Sequence, residues 1–162
     1  MIWLIVIALV VIVCFGGVLL VGAPYLPTLN PQVNKAIELA DLKAGDTMLE
    51  LGCGDGKVII AAAKQGINVI GYELNPILVL IAWLRTRRYR KQVKIIWGDF
   101  WTKPWPPAEA IFTFLLPRYM TKLNKKIIQY DSKPVKLVSF AFAIPDRKVD
   151  AEEQGIFVYQ YK

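Results

Sequence analysis

Thr47-Met48-Leu49-Glu50-Leu51-Gly52-Cys53-Gly54-Asp55-Gly56 is an apolar run with one acid that opens into three glycines at alternate positions. The run predicts a buried strand, Thr47–Leu51, and the glycines predict a tight loop after it. Lys57 to Lys64 (KVIIAAAK) follows at once and is rich in good helix formers. A strand, a glycine loop and a helix start in succession make a place for a nucleotide-like ligand. Glycine lets backbone approach the ligand, and the first helical turn holds out N–H groups without helical partners.

Outward from this stretch the chain alternates. Upstream, Asn30-Pro31 reads as an N-cap with proline at the first helical position, opening a helix to about Ala40, and Lys43-Ala44-Gly45-Asp46 is a turn. Downstream, a helix over Lys57–Gln65 stops at Gly66, strand Asn68–Tyr72 ends in Glu73, and Asn75-Pro76 starts a helix reaching about Arg90. Strand Val93–Trp97 ends in Gly98-Asp99, a proline-rich loop spans Lys103 to Pro107, and Ala110–Leu116 is an apolar strand. A helix from Arg118 to about Tyr130, a strand Lys136–Ile144, a charged connector Asp146–Gln154 and an alternating strand Ile156–Tyr161 complete the chain. Continuous apolar strands separated by helices predict a mainly parallel sheet covered on both faces, an α/β, doubly wound, Rossmann-like fold. The last connector is too short and polar for a packed helix, so the closing strand is expected to run antiparallel.

Hydrophobic residues make up 55% of the 162 residues, and the excess sits at the N-terminus. Ile2 to Val21 holds no charged residue, and 15 of its 20 side chains are Leu, Ile, Val or Phe. Twenty helical residues match the ~30 Å hydrocarbon core of a bilayer, and the 15 contribute roughly −5 to −9 kcal/mol to insertion. A cleaved signal peptide would need a basic leading segment and a shorter apolar core, whereas the first basic residue here is Lys35. The expected organisation is one transmembrane helix over residues 1–22, a proline-punctuated linker over 23–31 and one domain over 32–162. All 20 basic residues follow the apolar run, which sets the N-terminus outside and the domain in the cytoplasm.

Cys14 lies in the apolar run and Cys53 in the glycine loop, so the two are not a disulfide pair. Cys53 at a helix start reads either as an activated thiol or as a small filler in a crowded loop. With no histidine and no cysteine cluster, zinc coordination and histidine-based triads are excluded.

In a doubly wound sheet, ligands gather at the C-terminal ends of the strands. The loop residues Gly52, Cys53, Gly54 and Gly56 follow strand one. Glu50 at that strand's end would repel a pyrophosphate and welcome a cationic ammonium. Lys57 follows the glycines where a dinucleotide fingerprint needs a small residue. Together these favour S-adenosylmethionine over NAD. Glu73, 21 residues past Gly52, ends strand two, where an acid grips two ribose hydroxyls. Asp99 ends strand three, where a carboxylate accepts from an adenine amino group. Leu74 and Phe100, directly after these acids, complete the expected cofactor contacts.

These residues carry a family resemblance. Glu50–Gly56 (ELGCGDG), Gly71–Asn75 (GYELN) and Gly98-Asp99 are similar to the first three motifs of class I S-adenosylmethionine-dependent methyltransferases, and the likeness runs from about Pro31 to Lys162. More narrowly, Gly56–Ala63 (GKVIIAAA) and Gly71–Pro76 (GYELNP) resemble the membrane-anchored protein lysine methyltransferases of mitochondria. Those enzymes modify the adenine nucleotide translocator and the c subunit of ATP synthase, and carry a hydrophobic anchor ahead of a short catalytic domain. The resemblance implies a sheet order of 3-2-1-4-5 with closing strands beside strand five, S-adenosyl-L-methionine as cofactor, and N-methylation of a protein lysine near the membrane. The chain departs from the pattern in its shortness and in having Glu50 where many members have Asp. The longer carboxylate still reaches an ammonium.

In-line methyl transfer needs alignment and electrostatics matched to the spreading sulfonium charge, so the lack of histidine is no objection. The acceptor side is expected after strand four, at Leu116-Pro117-Arg118-Tyr119, with Pro117 and Tyr119 as candidate residues. This differs from the (Asp/Asn)-Pro-Pro-(Tyr/Phe) signature of enzymes acting on exocyclic base amines. Tyr119 reads equally as helix-start packing, and Trp101 and Trp105 read either as walls for adenine or acceptor or as caps on the core. A small-molecule, lipid or RNA acceptor, and a tethered cofactor-binding module without turnover, stand as alternatives, and the oligomeric state is left open.

The net charge of +7 owes much to Arg85, Arg87, Arg88, Arg90, Lys91 and Lys94, at the end of the second strand-linking helix. The fold sets this cluster at the edge opposite the ligand crevice. It complements a helix C-terminus, or meets anionic lipid headgroups at about 1 kcal/mol per residue, or binds nucleic acid by counterion release. The absence of a recognition module disfavours the last.

Overall fold

The computed structural model describes residues 1–6, 9, 12, 16, 30–131 and 134–162. Its strands are β1 (Thr47–Leu51), β2 (Asn68–Glu73), β3 (Val93–Trp97), β4 (Ala110–Thr113), β5 (Val135–Phe140), β6 (Ala151–Glu153) and β7 (Ile156–Tyr161). The helices are α1 (Asn30–Ala40), α2 (Lys57–Ala63), α3 (Pro76–Thr86), prolonged by a 3-10 turn at Arg87–Tyr89, and α4 (Pro117–Ile128). The strands form one sheet in the order β3-β2-β1-β4-β5-β7-β6. The first five run parallel, and β7 joins β5 antiparallel with Val135 opposite Tyr161.

β1 shows why the strands read as continuous apolar runs. Met48 points to the face covered by α1 and α2, among Val33, Ile37, Ile59 and Ala62. Leu49 and Leu51 point to the other face, among Met120, Leu123 and Ile127 of α4. Burial on both faces removes the polar alternation of a half-exposed strand. Each fully buried side chain of this size contributes about 1.5–3 kcal/mol.

The structure departs from the sequence expectations at three strand boundaries. β4 stops at Thr113 rather than Leu116, because Leu116 is already the extended N-cap residue of α4. β5 stops at Phe140 rather than Ile144, where Ala141 takes φ +69° and the Ser139 hydroxyl donates to the Phe142 carbonyl at 2.7 Å. The supposed connector before the closing strand holds a strand of its own, β6, so the sheet closes with a hairpin. All three β6 residues are exposed, which leaves no periodic pattern to read. Its two-residue turn, Gln154-Gly155, has φ of +51° and +74°, the signs of a type I′ hairpin.

The expected anchor and linker lie largely outside the described residues. Residues 2–6, 9, 12 and 16 are helical. Among the described residues, no helix is long and apolar enough to cross a membrane.

Candidate functional site

The turn after β1 is tied to the end of β2. Gly52 and Cys53 N–H both donate to the Tyr72 carbonyl, at 3.0 and 2.8 Å, and Gly56 N–H donates to the Cys53 carbonyl at 2.9 Å. Gly56 caps α2 with φ +79°, and a side chain there would come within 3.3 Å of Ala82 and Thr86 on α3. The third glycine is therefore fixed both by its left-handed backbone and by helix packing. Gly52, φ +85°, faces the opposite situation: a Cβ there would meet nothing within 4 Å. The loop presents bare backbone to open space on that side.

Three acids reach the same edge of the sheet because β1, β2 and β3 are parallel neighbours. Glu73 Oε2 accepts from Gly54 N–H and its Oε1 from Asn75 N–H, both at 2.8 Å, so this buried carboxylate braces the glycine loop and the start of α3. Each oxygen keeps a further lone-pair site. Asp99 Oδ1 accepts from Trp101 N–H at 2.8 Å and shapes the turn after β3. Glu50 is buried, and its Oε2 has no hydrogen-bond partner. Burial pushes the Glu50 carboxyl well above the usual carboxylate range, the Glu73 charge pushes the same way, and a hydrogen bond from Ile59 N–H opposes them.

Cys53 is settled by its surroundings. Burial first, then the charges of Glu50 and Glu73, raise its thiol well above the ordinary value. A Cβ at Gly71 would come within 2.9 Å of its sulfur. The thiol is a packing group and not an activated nucleophile.

Leu74 and Phe100 are half-buried directly behind their acids, with the Leu74 carbonyl accepting from Trp97 Nε1 at 3.1 Å and the Phe100 carbonyl from Trp105 Nε1 at 2.8 Å. Pro117 opens α4 and is exposed, whereas Tyr119 is half-buried with its ring 6.0 Å from Trp101. The two tryptophans are covered by cations of α4, Lys122 over Trp101 at 4.3 Å and Lys126 over Trp105 at 4.9 Å. They clamp the loop after β3 to α4, each contact worth about 0.5–2 kcal/mol.

Two groups escaped the sequence reading. Arg85, grouped there with the remote basic cluster, turns back to the glycine loop, where it pairs with the Asp55 carboxylate and donates to the Asp55 carbonyl at 3.1 Å. No local spacing could reveal a pair 30 residues apart. At the ends of β4 and β5, Phe114 packs edge-on against Phe140 at 4.7 Å and beside Phe142 at 6.3 Å, giving the acceptor side an aromatic lip.

Comparison with known proteins decides the family. The ANTKMT methyltransferase domain matches residues 50–151, more than half of the chain. The chain belongs to the ANTKMT methyltransferase domain family. It is 29% identical over 126 residues to the lysine N-methyltransferase of the ATP synthase c subunit from Homo sapiens, covering 75% of this chain and 53% of that protein. It is 31% identical over 126 residues to a protein-lysine N-methyltransferase of Saccharolobus islandicus (strain REY15A), covering 75% of this chain and 78% of that one. The chain spans about half the length of the ATP synthase lysine N-methyltransferases it matches. Among solved structures, an RNA methyltransferase from Salinibacter ruber in complex with S-adenosyl-L-homocysteine aligns with a TM-score of 0.76 at 29% identity, covering 84% of this chain and 92% of that one. The residues at the sheet edge suit S-adenosyl-L-methionine, the cofactor of such methyltransferases. The unpartnered Glu50 oxygen calls for a cation or donor, and the space beside Gly52 is open.

Proposed function

We propose that the chain is an S-adenosyl-L-methionine-dependent methyltransferase that N-methylates a protein lysine beside a membrane. The observation that carries the reading is the unpartnered, buried Glu50 oxygen at the head of an open glycine loop, with Glu73 and Asp99 on the next two strands. Glu50 takes the cofactor's ammonium. The free lone pairs of Glu73 accept from ribose hydroxyls, and Asp99 accepts from the adenine amino group. The cofactor supplies a methyl group on a sulfonium, which passes in line to the acceptor nitrogen as the carbon–sulfur bond breaks. The chain orients the acceptor: the turn after β4, with Phe114 and Pro117, bounds its approach, and the aromatic lip suits the apolar stem of a lysine. The amine must arrive deprotonated, and water takes its proton. No protein base is needed.

Lysine is favoured because two of the relatives described above are named as lysine N-methyltransferases. RNA is the second reading, favoured by the name of the Salinibacter structure and by the net charge of +7. The apolar run Ile2–Val21 serves as a single-pass anchor, with the N-terminus outside and the domain cytoplasmic, following the one-sided distribution of basic residues. Membranes incubated with the full chain and methyl-labelled cofactor test all of this. Label on lysine of a membrane protein is the expected result. Label in RNA or lipid would replace the acceptor, no label at all would leave a binding module, and release of the chain by carbonate would remove the anchor.

A further inference from the structure

α3 is apolar nearly all round, and only one of its faces is covered. Leu78, Ala82 and Thr86 are buried, with Ala82 and Thr86 against Gly56. The opposite stripe stays in solvent: Leu80 is 56% exposed, Trp83 59% and Leu84 47%, and Trp97 at the end of the edge strand β3 is 64% exposed. Positions 80, 83, 84 and 87 share one helical stripe. The apolar row therefore runs straight into Arg87, followed by Arg88, Arg90 and Lys91, all exposed. Residues 76–97 contain no Asp or Glu.

We propose that this α3/β3 face docks the domain onto an anionic lipid surface. Leu80, Trp83, Leu84 and Trp97 enter the headgroup boundary, while Arg87, Arg88, Arg90 and Lys91 meet the phosphates. Large apolar side chains beside tryptophan and a basic cluster make up the chemistry of an interfacial helix. Charge selects lipid over the other occupants. A second copy of this chain would set arginine against arginine, because the segment offers no acid in return. Nucleic acid would take the cations and leave the leucines in water. The chain's own apolar N-terminal residues do not cover the face among those described, since Ile2, Trp3, Leu4, Leu9 and Ile12 are themselves exposed. Docking also bears on the site. Trp97 is bonded to the Leu74 carbonyl and directly precedes Gly98-Asp99, and Arg85 ties α3 to the glycine loop. A docked domain holds its crevice beside the bilayer. The inference rests on the proposed working place at a membrane, and is independent of the methyl acceptor.

The test uses the full chain carrying Cys14→Ser and Leu84→Cys, labelled with an environment-sensitive nitrobenzoxadiazole dye and reconstituted into phosphatidylcholine vesicles with and without phosphatidylserine. A second preparation carries the dye at Lys125→Cys on α4. We expect blue-shifted emission and quenching by doxyl lipid for the α3 dye only, and only with phosphatidylserine present. The ratio of docked to undocked chains should fall about fivefold for each of Arg88→Gln and Lys91→Gln. Unchanged melting of these variants would show that the fold is kept, whether or not the cofactor binds. A dye that stays in water with phosphatidylserine overturns the proposal. So does equal burial of the α4 dye, equal docking on neutral vesicles, energy transfer between copies, or release of the docked state by RNA.

Discussion

Replacing Glu50 with glutamine should make the protein alone more stable at pH 7 and a poorer binder of its cofactor. Glu50 is 3% exposed, its Oε2 is unpartnered, and the charge of Glu73 lies close. Folding at pH 7 must therefore either strip water from a charge or take up a proton. Proton uptake from the ordinary value of 4.5 to pH 7 costs at most about 3.4 kcal/mol, at 1.36 kcal/mol per unit. Glutamine keeps the shape without the charge. Its amide inherits the same lack of a partner as the neutral acid's hydroxyl, so that penalty of about 1–3 kcal/mol largely cancels. The expected gain at pH 7 is about 1–3 kcal/mol. Its sign with pH follows from the raised folded-state value. Below about pH 4.5 both states hold the proton and Glu50 costs nothing. Above it the unfolded chain releases its proton first, and the wild type loses ground to Glu50→Gln until the folded-state value is passed. Urea unfolding of both proteins at about pH 4 and pH 7, followed by tryptophan fluorescence, measures the difference. Calorimetry with S-adenosylmethionine should show affinity falling about tenfold or more, from the loss of a charge-assisted contact. A variant less stable than the wild type at pH 7, or a gain of equal size at both pH values, would refute the reasoning.

Gly56→Ala should destabilise the fold by about 1–3 kcal/mol, because alanine must adopt φ +79° and push its methyl to 3.3 Å from Ala82 and Thr86; a thermal or urea midpoint unchanged from wild type would contradict this. Arg85→Met should barely alter stability, since the Arg85–Asp55 pair is partly exposed, with side-chain exposures of 39% and 19%. It should nevertheless weaken cofactor binding several-fold by loosening the glycine loop, and calorimetric affinity equal to wild type would show that the pair is only a surface contact.

The fold was legible wherever side chains were buried on both faces. β1, β2 and β4 carry unbroken apolar runs, and the glycine loop and Asn75-Pro76 mark their boundaries with backbone chemistry that few other residues supply. Asn75 does cap α3, its Oδ1 accepting from Ile77 N–H at 2.9 Å. The closing hairpin was not legible because β6 is exposed at all three positions and leaves no hydrophobic trace. At the site, the order and spacing of Glu50, Glu73 and Asp99 could be read directly, since each ends a strand. What each carboxylate does could not. The bracing of Gly54 by Glu73 and the unpartnered state of Glu50 depend on neighbours brought in from β2 and α2. The same holds for Arg85, whose partner lies across the packing of α3 on the loop, and for the aromatic lip, whose rings come from two strand ends.

Calorimetric titration of the full chain with S-adenosyl-L-methionine tests the central claim most directly. The account predicts binding of one molecule per chain, weakened by Asp99→Ala. No heat of binding, or binding that Asp99→Ala leaves unchanged, would contradict it.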